Sequence, residues 1–141
     1  MEQVTKLFVY GSLRSGFQSN AYHYISHYFT LLGHATVNGR LYDLGEYPAA
    51  LPAPGTDSLI QGELYDLNEK NAFGWVFGQL DDYEGVVTEE GETAMYRREL
   101  VTANINGQEA IAWIYWYNGD VSGKPVVPSG DIIEYFRNKK P

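Results

Sequence analysis

Asn106-Gly107 separates two strand-like segments, residues 96–105 and 109–117. An Asn-Gly pair satisfies both left-handed positions of a two-residue type I′ turn, whose twist matches that of the strands it joins. The chain is therefore committed to an antiparallel hairpin, and every other strand has to be accommodated around it. Residues 6–10, 36–44 and 59–67 read as further strands. A sheet of about five or six strands with no internal repeat has two edges to hide, and curling hides them. The expected class is α+β: a small, mostly antiparallel, strongly curled β-barrel flanked by short helices.

Two of the strands share a pattern. Gly39-Arg40-Leu41-Tyr42-Asp43-Leu44 recurs as Gly62-Glu63-Leu64-Tyr65-Asp66-Leu67. Two copies are too few for a solenoid, so they read as two similarly built strands of one sheet. Between them, Tyr47-Pro48-Ala49-Ala50-Leu51-Pro52-Ala53-Pro54-Gly55 reads as a loop, because proline cannot donate to a central ladder. Asn20 can cap a short helix ending near Tyr28, with Ala21, Tyr24, Ile25 and Tyr28 on one side. Asn68 opens a second helix over residues 69–83, with Ala72, Trp75, Val76, Gln79, Leu80 and Tyr83 at helical spacing. Gly74 and Gly78 inside it each cost about 1 kcal/mol relative to alanine, which implies that another backbone packs closely there. Gly85 is placed to end this helix in a left-handed cap, and an acidic loop over residues 86–93 follows. Gly130-Asp131 leads into a C-terminal helix over residues 132–138. No linker or compositional break divides the chain, so residues 1–141 read as one domain.

The chain supplies its own core, with 44% apolar and 15% aromatic residues among 141. It has no cysteine, which excludes disulfides, thiolate zinc sites and a cysteine nucleophile. A net charge of −8 argues against nucleic acid or an anionic membrane as a partner. No apolar run approaches the roughly 18 residues that span a bilayer. Glu2 and Lys6 interrupt the N-terminal segment, unlike a secretory leader. The expectation is a cytoplasmic protein acting on a small molecule.

Two stretches carry candidate chemistry. Leu7-Phe8-Val9-Tyr10 is an apolar strand that stops abruptly at Gly11 and becomes the small polar loop Gly11-Ser12-Leu13-Arg14-Ser15-Gly16. Backbone N–H groups at such a strand end form a concavity suited to a carboxylate, a phosphate or an oxyanion. The loop lacks a Walker ending and a full dinucleotide glycine pattern, and no Gly-x-Ser-x-Gly frame places a serine at its centre. The second stretch is Asp81-Asp82-Tyr83-Glu84-Gly85. A Glu84 carboxylate at a helix C-terminus faces the negative end of the macrodipole, and Tyr83 and Tyr96 are expected to cover it. Both effects raise its pKa, as a general base requires. His23 and His27 share one helix face but have no third ligand at useful spacing, so they read as surface histidines and no metal site is expected. At most one of Arg97 and Arg98 is expected to point inward, with the acidic loop as the pairing partner. Tyr115 and Tyr117 share one strand face, with their hydroxyls expected at the rim.

Val9-Tyr10-Gly11-Ser12-Leu13-Arg14-Ser15-Gly16 followed by Asn20 resembles the signature loop of the gamma-glutamylcyclotransferase-like family, in its AIG2-like, γ-glutamylamine branch. Further matches follow in the family's order: Gly39 to Leu44 with Tyr47-Pro48-Ala49, Gly62 to Leu67, Leu80-Asp81-Asp82-Tyr83-Glu84-Gly85, Tyr96-Arg97-Arg98 and Ala112-Trp113-Ile114-Tyr115-Trp116-Tyr117. The run Phe73-Gly74-Trp75-Val76-Phe77-Gly78 departs from the pattern, being bulkier and richer in glycine. The resemblance implies a cofactor-free enzyme that cyclises a γ-glutamyl amine or amino acid to 5-oxoproline and releases the amine. It implies Glu84 as general acid/base, and the backbone of Tyr10, Gly11, Ser12 and Leu13 as the anion and oxyanion cradle. Tyr115 is implied as a pocket residue. The alternatives are a small-molecule binding protein that keeps the pocket without chemistry, and a hydrolase that directs the same base at water.

Overall fold

The computed structural model describes residues 3–11, 20–45, 48–84 and 95–138, with the side chains of residues 20–22, 84 and 138 outside that description. Its frame is a closed barrel of five strands: β1 (Lys6–Val9), β2 (Phe29–Asn38), β5 (Leu59–Leu67), β6 (Tyr96–Ile105) and β7 (Gln108–Tyr117). The order around the barrel is β1-β5-β2-β6-β7. All neighbours are antiparallel except β1 and β7, which close the barrel in parallel at Leu7 opposite Trp113. The expected hairpin forms β6 and β7, with Asn106 at φ 53° and Gly107 at φ 80° as the turn demands.

Two strands stand apart from the barrel. β3 (Arg40–Asp43) and β4 (Pro48–Leu51) pair as a separate antiparallel ribbon. This corrects three readings of the sequence. Residues 36–44 are not one strand: the barrel strand begins at Phe29, directly after the first helix, and breaks at Gly39. The two Gly-x-Leu-Tyr-Asp-Leu copies do not share a sheet, since the first lies in the ribbon and the second in the barrel. Part of the proline-rich loop is strand β4, where Pro48 is tolerated because it begins a strand of a two-stranded ribbon. Gly39 marks the switch between sheets. A Cβ there would lie 2.6 Å from Ile60 Cδ1 and 3.0 Å from the Leu51 carbonyl oxygen, so only glycine lets the chain turn at such close quarters.

Period-two alternation divides the strands between two cores. Phe8, Tyr10, Val37, Ile60, Leu64, Ile114 and Trp116 fill the barrel with the small residues Ala35, Ala103 and Ala112, closed off by Leu41, Val127 and Ile132. The outward residues Leu7, Val9, Phe29, Tyr65, Leu67 and Tyr115 are covered by α1 (Asn20–Tyr28) through Ile25 and by α2 (Phe73–Glu84) through Val76, Phe77 and Leu80. The C-terminal helix α3 (Ile132–Asn138) starts as expected, with Asp131 accepting from the backbone N–H groups of Ile133 and Glu134.

Around α2 the structure departs from the periodicity in three ways. A 3₁₀ turn, Lys70–Ala72, precedes the helix, and Asn68 does not cap it but accepts the Thr30 hydroxyl. The buried face is Val76, Phe77 and Leu80, while Trp75 and Tyr83 are each 56% exposed. Among the described residues no backbone approaches Gly74 or Gly78, since a Cβ at either would meet nothing within 4 Å. Gly85 and the acidic loop lie outside the described residues.

Asp66 of β5 is held by the Thr5 hydroxyl at 2.7 Å and by Lys70 Nζ at 2.9 Å. Partial burial pushes its carboxyl up, but the bonds from Lys70 and Thr5 and the charges of Lys70 and Lys6 outweigh this and hold it below its ordinary value. A depressed folded-state pKa stabilises the fold above the unfolded-state pKa, and that stability drains away as pH falls through the folded value. Urea unfolding at neutral pH and near pH 3 is therefore expected to show a smaller acid loss in Asp66→Asn than in wild type. Equal losses in the two proteins would remove this carboxylate from the account.

Candidate active site

One end of the barrel gathers most of the residues singled out by the motifs. Because β1 and β7 are parallel, the C-terminal ends of both strands point the same way, and β6 begins beside them with Tyr96 opposite Tyr117 and Arg98 opposite Tyr115. Tyr10 directly follows β1, is 7% exposed, and donates its hydroxyl to the Tyr115 carbonyl. Gly11 packs against the ribbon, where a Cβ would sit 3.2 Å from Pro48 Cγ. Tyr96 donates its hydroxyl to the Pro48 carbonyl at 3.1 Å and so ties β4 to the same mouth. Ser12 and Leu13 lie outside the described residues.

The last turn of α2 is anchored to this end from the outside. Asp81 accepts Arg98 Nε at 2.8 Å on Oδ1 and Arg98 Nη2 at 3.2 Å on Oδ2, a two-pronged pair. The Tyr115 hydroxyl donates to the same Oδ1 at 2.8 Å. Arg98 lies over the Trp113 ring, its guanidinium carbon 4.4 Å from the ring centroid, with Phe77 at 5.2 Å. The Tyr115 hydroxyl thus meets α2 in the seam between helix and barrel, and the residue is 2% exposed. Glu84 is the final residue of α2, and its side chain lies outside the described residues, as does the pKa expected for it. Of its two expected covers, Tyr96 is 7% exposed but Tyr83 projects outward.

Arg98 is the more buried of the two, its side chain 20% exposed in the seam under α2 against 37% for Arg97. The acidic loop expected to pair with them lies outside the described residues. Arg98 takes Asp81, while Arg97 takes Glu99 at 2.9 Å and Asn118 at 2.9 Å. Sequence reasoning placed Asp81 in the candidate stretch and Pro48 in a matched motif but gave neither a role at this end. The signal for Asp81 was its place one turn before Glu84, facing an arginine pair on a strand. Among the described residues, no three His, Asp or Glu side chains are grouped to hold a metal ion. An open depression at the other end of the barrel, bordered by Thr5, Lys6, Asp66, Lys70 and Ile111, shares none of these groups.

The strand end at Tyr10 and the acidic last turn of α2 are thus both tied to Tyr115. Residues 7–134 match the family model described as gamma-glutamyl cyclotransferase, AIG2-like. The gamma-glutamylcyclotransferase family protein YtfP of Escherichia coli K12 is 34% identical over 133 residues, covering 92% of this chain and 96% of that protein. The gamma-L-glutamyl-butirosin B gamma-glutamyl cyclotransferase of Niallia circulans is 32% identical over 116 residues, covering 81% of this chain and 67% of that protein. The solution structure of Escherichia coli YtfP superposes with a TM-score of 0.61 at 27% identity, over 95% of this chain and 99% of that one.

Proposed function

Because the chain belongs to the gamma-glutamyl cyclotransferase, AIG2-like family, we propose that it converts a γ-glutamyl amine or amino acid into 5-oxoproline and the free amine. In this reading Glu84 is the general acid/base. The main-chain N–H groups of Tyr10, Gly11, Ser12 and Leu13 form the cradle, and Tyr115 borders the pocket. A cytoplasmic setting and a one-domain chain belong to the same proposal.

The chemistry follows from the substrate. Its α-ammonium must lose a proton before it can act as a nucleophile, and Glu84 takes that proton. The freed nitrogen attacks the γ-carbonyl carbon of the same molecule, so a C–N bond forms while the carbonyl electron pair moves onto oxygen. The attacking group is already tethered, and the site's task is to hold the chain folded toward a five-membered ring. The backbone cradle meets the oxyanion. As the carbonyl re-forms, the amide C–N bond breaks, Glu84 gives its proton to the departing nitrogen, and the carboxylate so regenerated takes the second proton from the ring nitrogen and passes it to the released amine, leaving 5-oxoproline with a single N–H. Atoms and charge balance without a metal or redox partner.

The observation that carries the reading is the shared barrel end. The strand ending at Tyr10 and the helix ending at Glu84 belong to segments that lie about seventy residues apart in the chain, yet each is bonded to Tyr115. The test is product identification after incubation with a panel of γ-glutamyl amines and γ-glutamyl amino acids. Mass spectrometry is expected to find 5-oxoproline and free amine in equal amounts. Glutamate in place of 5-oxoproline would make the protein a hydrolase. Ligand binding without turnover across the panel would make it a binding protein.

A further inference from the structure

We infer that Asp81, Arg98 and Tyr115 are positioning residues that hold the last turn of α2, which carries Glu84, in register with the end of β1 at Tyr10. The inference deepens the reading of Glu84 as the base and rests on it.

Asp81 stands one helical turn before Glu84 and takes three hydrogen bonds from two strands, two from Arg98 and one from Tyr115. Those bonds occupy both of its oxygens, so Asp81 serves as an anchor and leaves proton transfer to Glu84. Arg98 has little freedom to choose another partner. Its guanidinium plane lies over Trp113 and beside Phe77, and the Asp81 and Arg98 side chains are only 13% and 20% exposed. A pair so shielded holds its geometry far better than an ion pair in open water.

Tyr115 connects the two halves of the site. Its carbonyl accepts the Tyr10 hydroxyl, and its own hydroxyl donates to Asp81. The span from the cradle strand to the helix end is thus two hydrogen bonds and one residue. The helix end also needs a cation, because Asp81, Asp82 and Glu84 crowd the negative pole of α2. Arg98 brings that charge from β6. A base held by a long loose helix end would sample many distances, whereas cyclisation needs one.

The test combines Tyr115→Phe, which removes one hydroxyl, with Arg98→Lys, which keeps the charge and loses the fork. Each is assayed alone and in a Glu84→Gln background, at a temperature where circular dichroism reports a full fold. Each single variant is expected to lower kcat about tenfold or more with KM changed less than about threefold. In the Glu84→Gln background the same changes are expected to alter the residual rate by less than about twofold, because residues acting through one group are not additive. Equal losses in both backgrounds would overturn the positioning role. A second arm needs no substrate. Hydrogen exchange of the amides of residues 81–84 is expected to speed up about tenfold in both variants, with β5 amides unchanged. If wild type turns over no γ-glutamyl compound, the proposed reaction falls and this arm alone judges the clamp. Unchanged exchange at residues 81–84 would sink the clamp itself.

Discussion

Glu84→Gln is expected to lower kcat for 5-oxoproline release by about 10²–10⁴-fold, equivalent to about 3–5 kcal/mol of barrier. Glutamine keeps the shape and a hydrogen-bonding oxygen but cannot take a proton. The substrate α-ammonium has no lone pair until it is deprotonated, so without a positioned base the reaction waits on the small fraction of free amine in solution. Binding is expected to survive, because the cradle proposed for the anionic end of the ligand consists of main-chain N–H groups, which this substitution does not alter. The two quantities are read separately, turnover by product release and binding by the thermal shift that 5-oxoproline produces. Loss of both together would point to a binding role for Glu84, and loss of neither would remove it from the site.

Phe77→Ala is expected to cost about 3–5 kcal/mol of folding stability, a large part of the roughly 5–15 kcal/mol that holds a domain of this kind. Phe77 is 1% exposed in the seam between α2 and the barrel. It stacks on Phe73 at 4.6 Å, meets Phe29 edge-on at 5.8 Å, and lies beside the Arg98 guanidinium. Truncation would leave a cavity between groups that are themselves fixed, so collapse can recover little of the loss. The comparison is Trp75→Ala on the same helix. That side chain is 56% exposed and makes one described ring contact, with Tyr28 at 5.5 Å, so a change of about 0.5 kcal/mol is expected. Urea midpoints at constant m value measure both. Similar costs at the two positions would mean that α2 packs through a different face.

That contrast also measures what periodicity can tell. Trp75, Val76 and Leu80 all fit a 3.6-residue repeat, but several adjacent stripes of an aromatic-rich helix are apolar enough to be buried. The stripe that faces the barrel is selected by the outward side chains of β1, β5 and β7. Gly74 and Gly78 failed as a packing signal for the same reason: a small side chain permits close approach, but a partner surface must also be present. Of the candidate site, Tyr10 and Gly11 were legible because a buried strand meeting a glycine loop is a local pattern. Asp81 was not, because its importance lies in Arg98 and Tyr115, on strands that follow it in the chain and reach it only through the barrel.

Read by itself, the amino-acid order determined the features whose physics is complete within a few residues. Asn106-Gly107 specified the hairpin, because two adjacent positive-φ positions admit few other residues. Asp131 opened the last helix by accepting its free N–H groups. The tally of strands and the need to hide their edges pointed to a barrel. Tertiary structure alone decided which strand closes that barrel, where the chain leaves it at Gly39, and that Pro48–Leu51 becomes a strand at all. It alone brought Arg98 to Asp81. Each of those outcomes balances packing and pairing between segments far apart in the chain, and such energies do not exist until the segments meet.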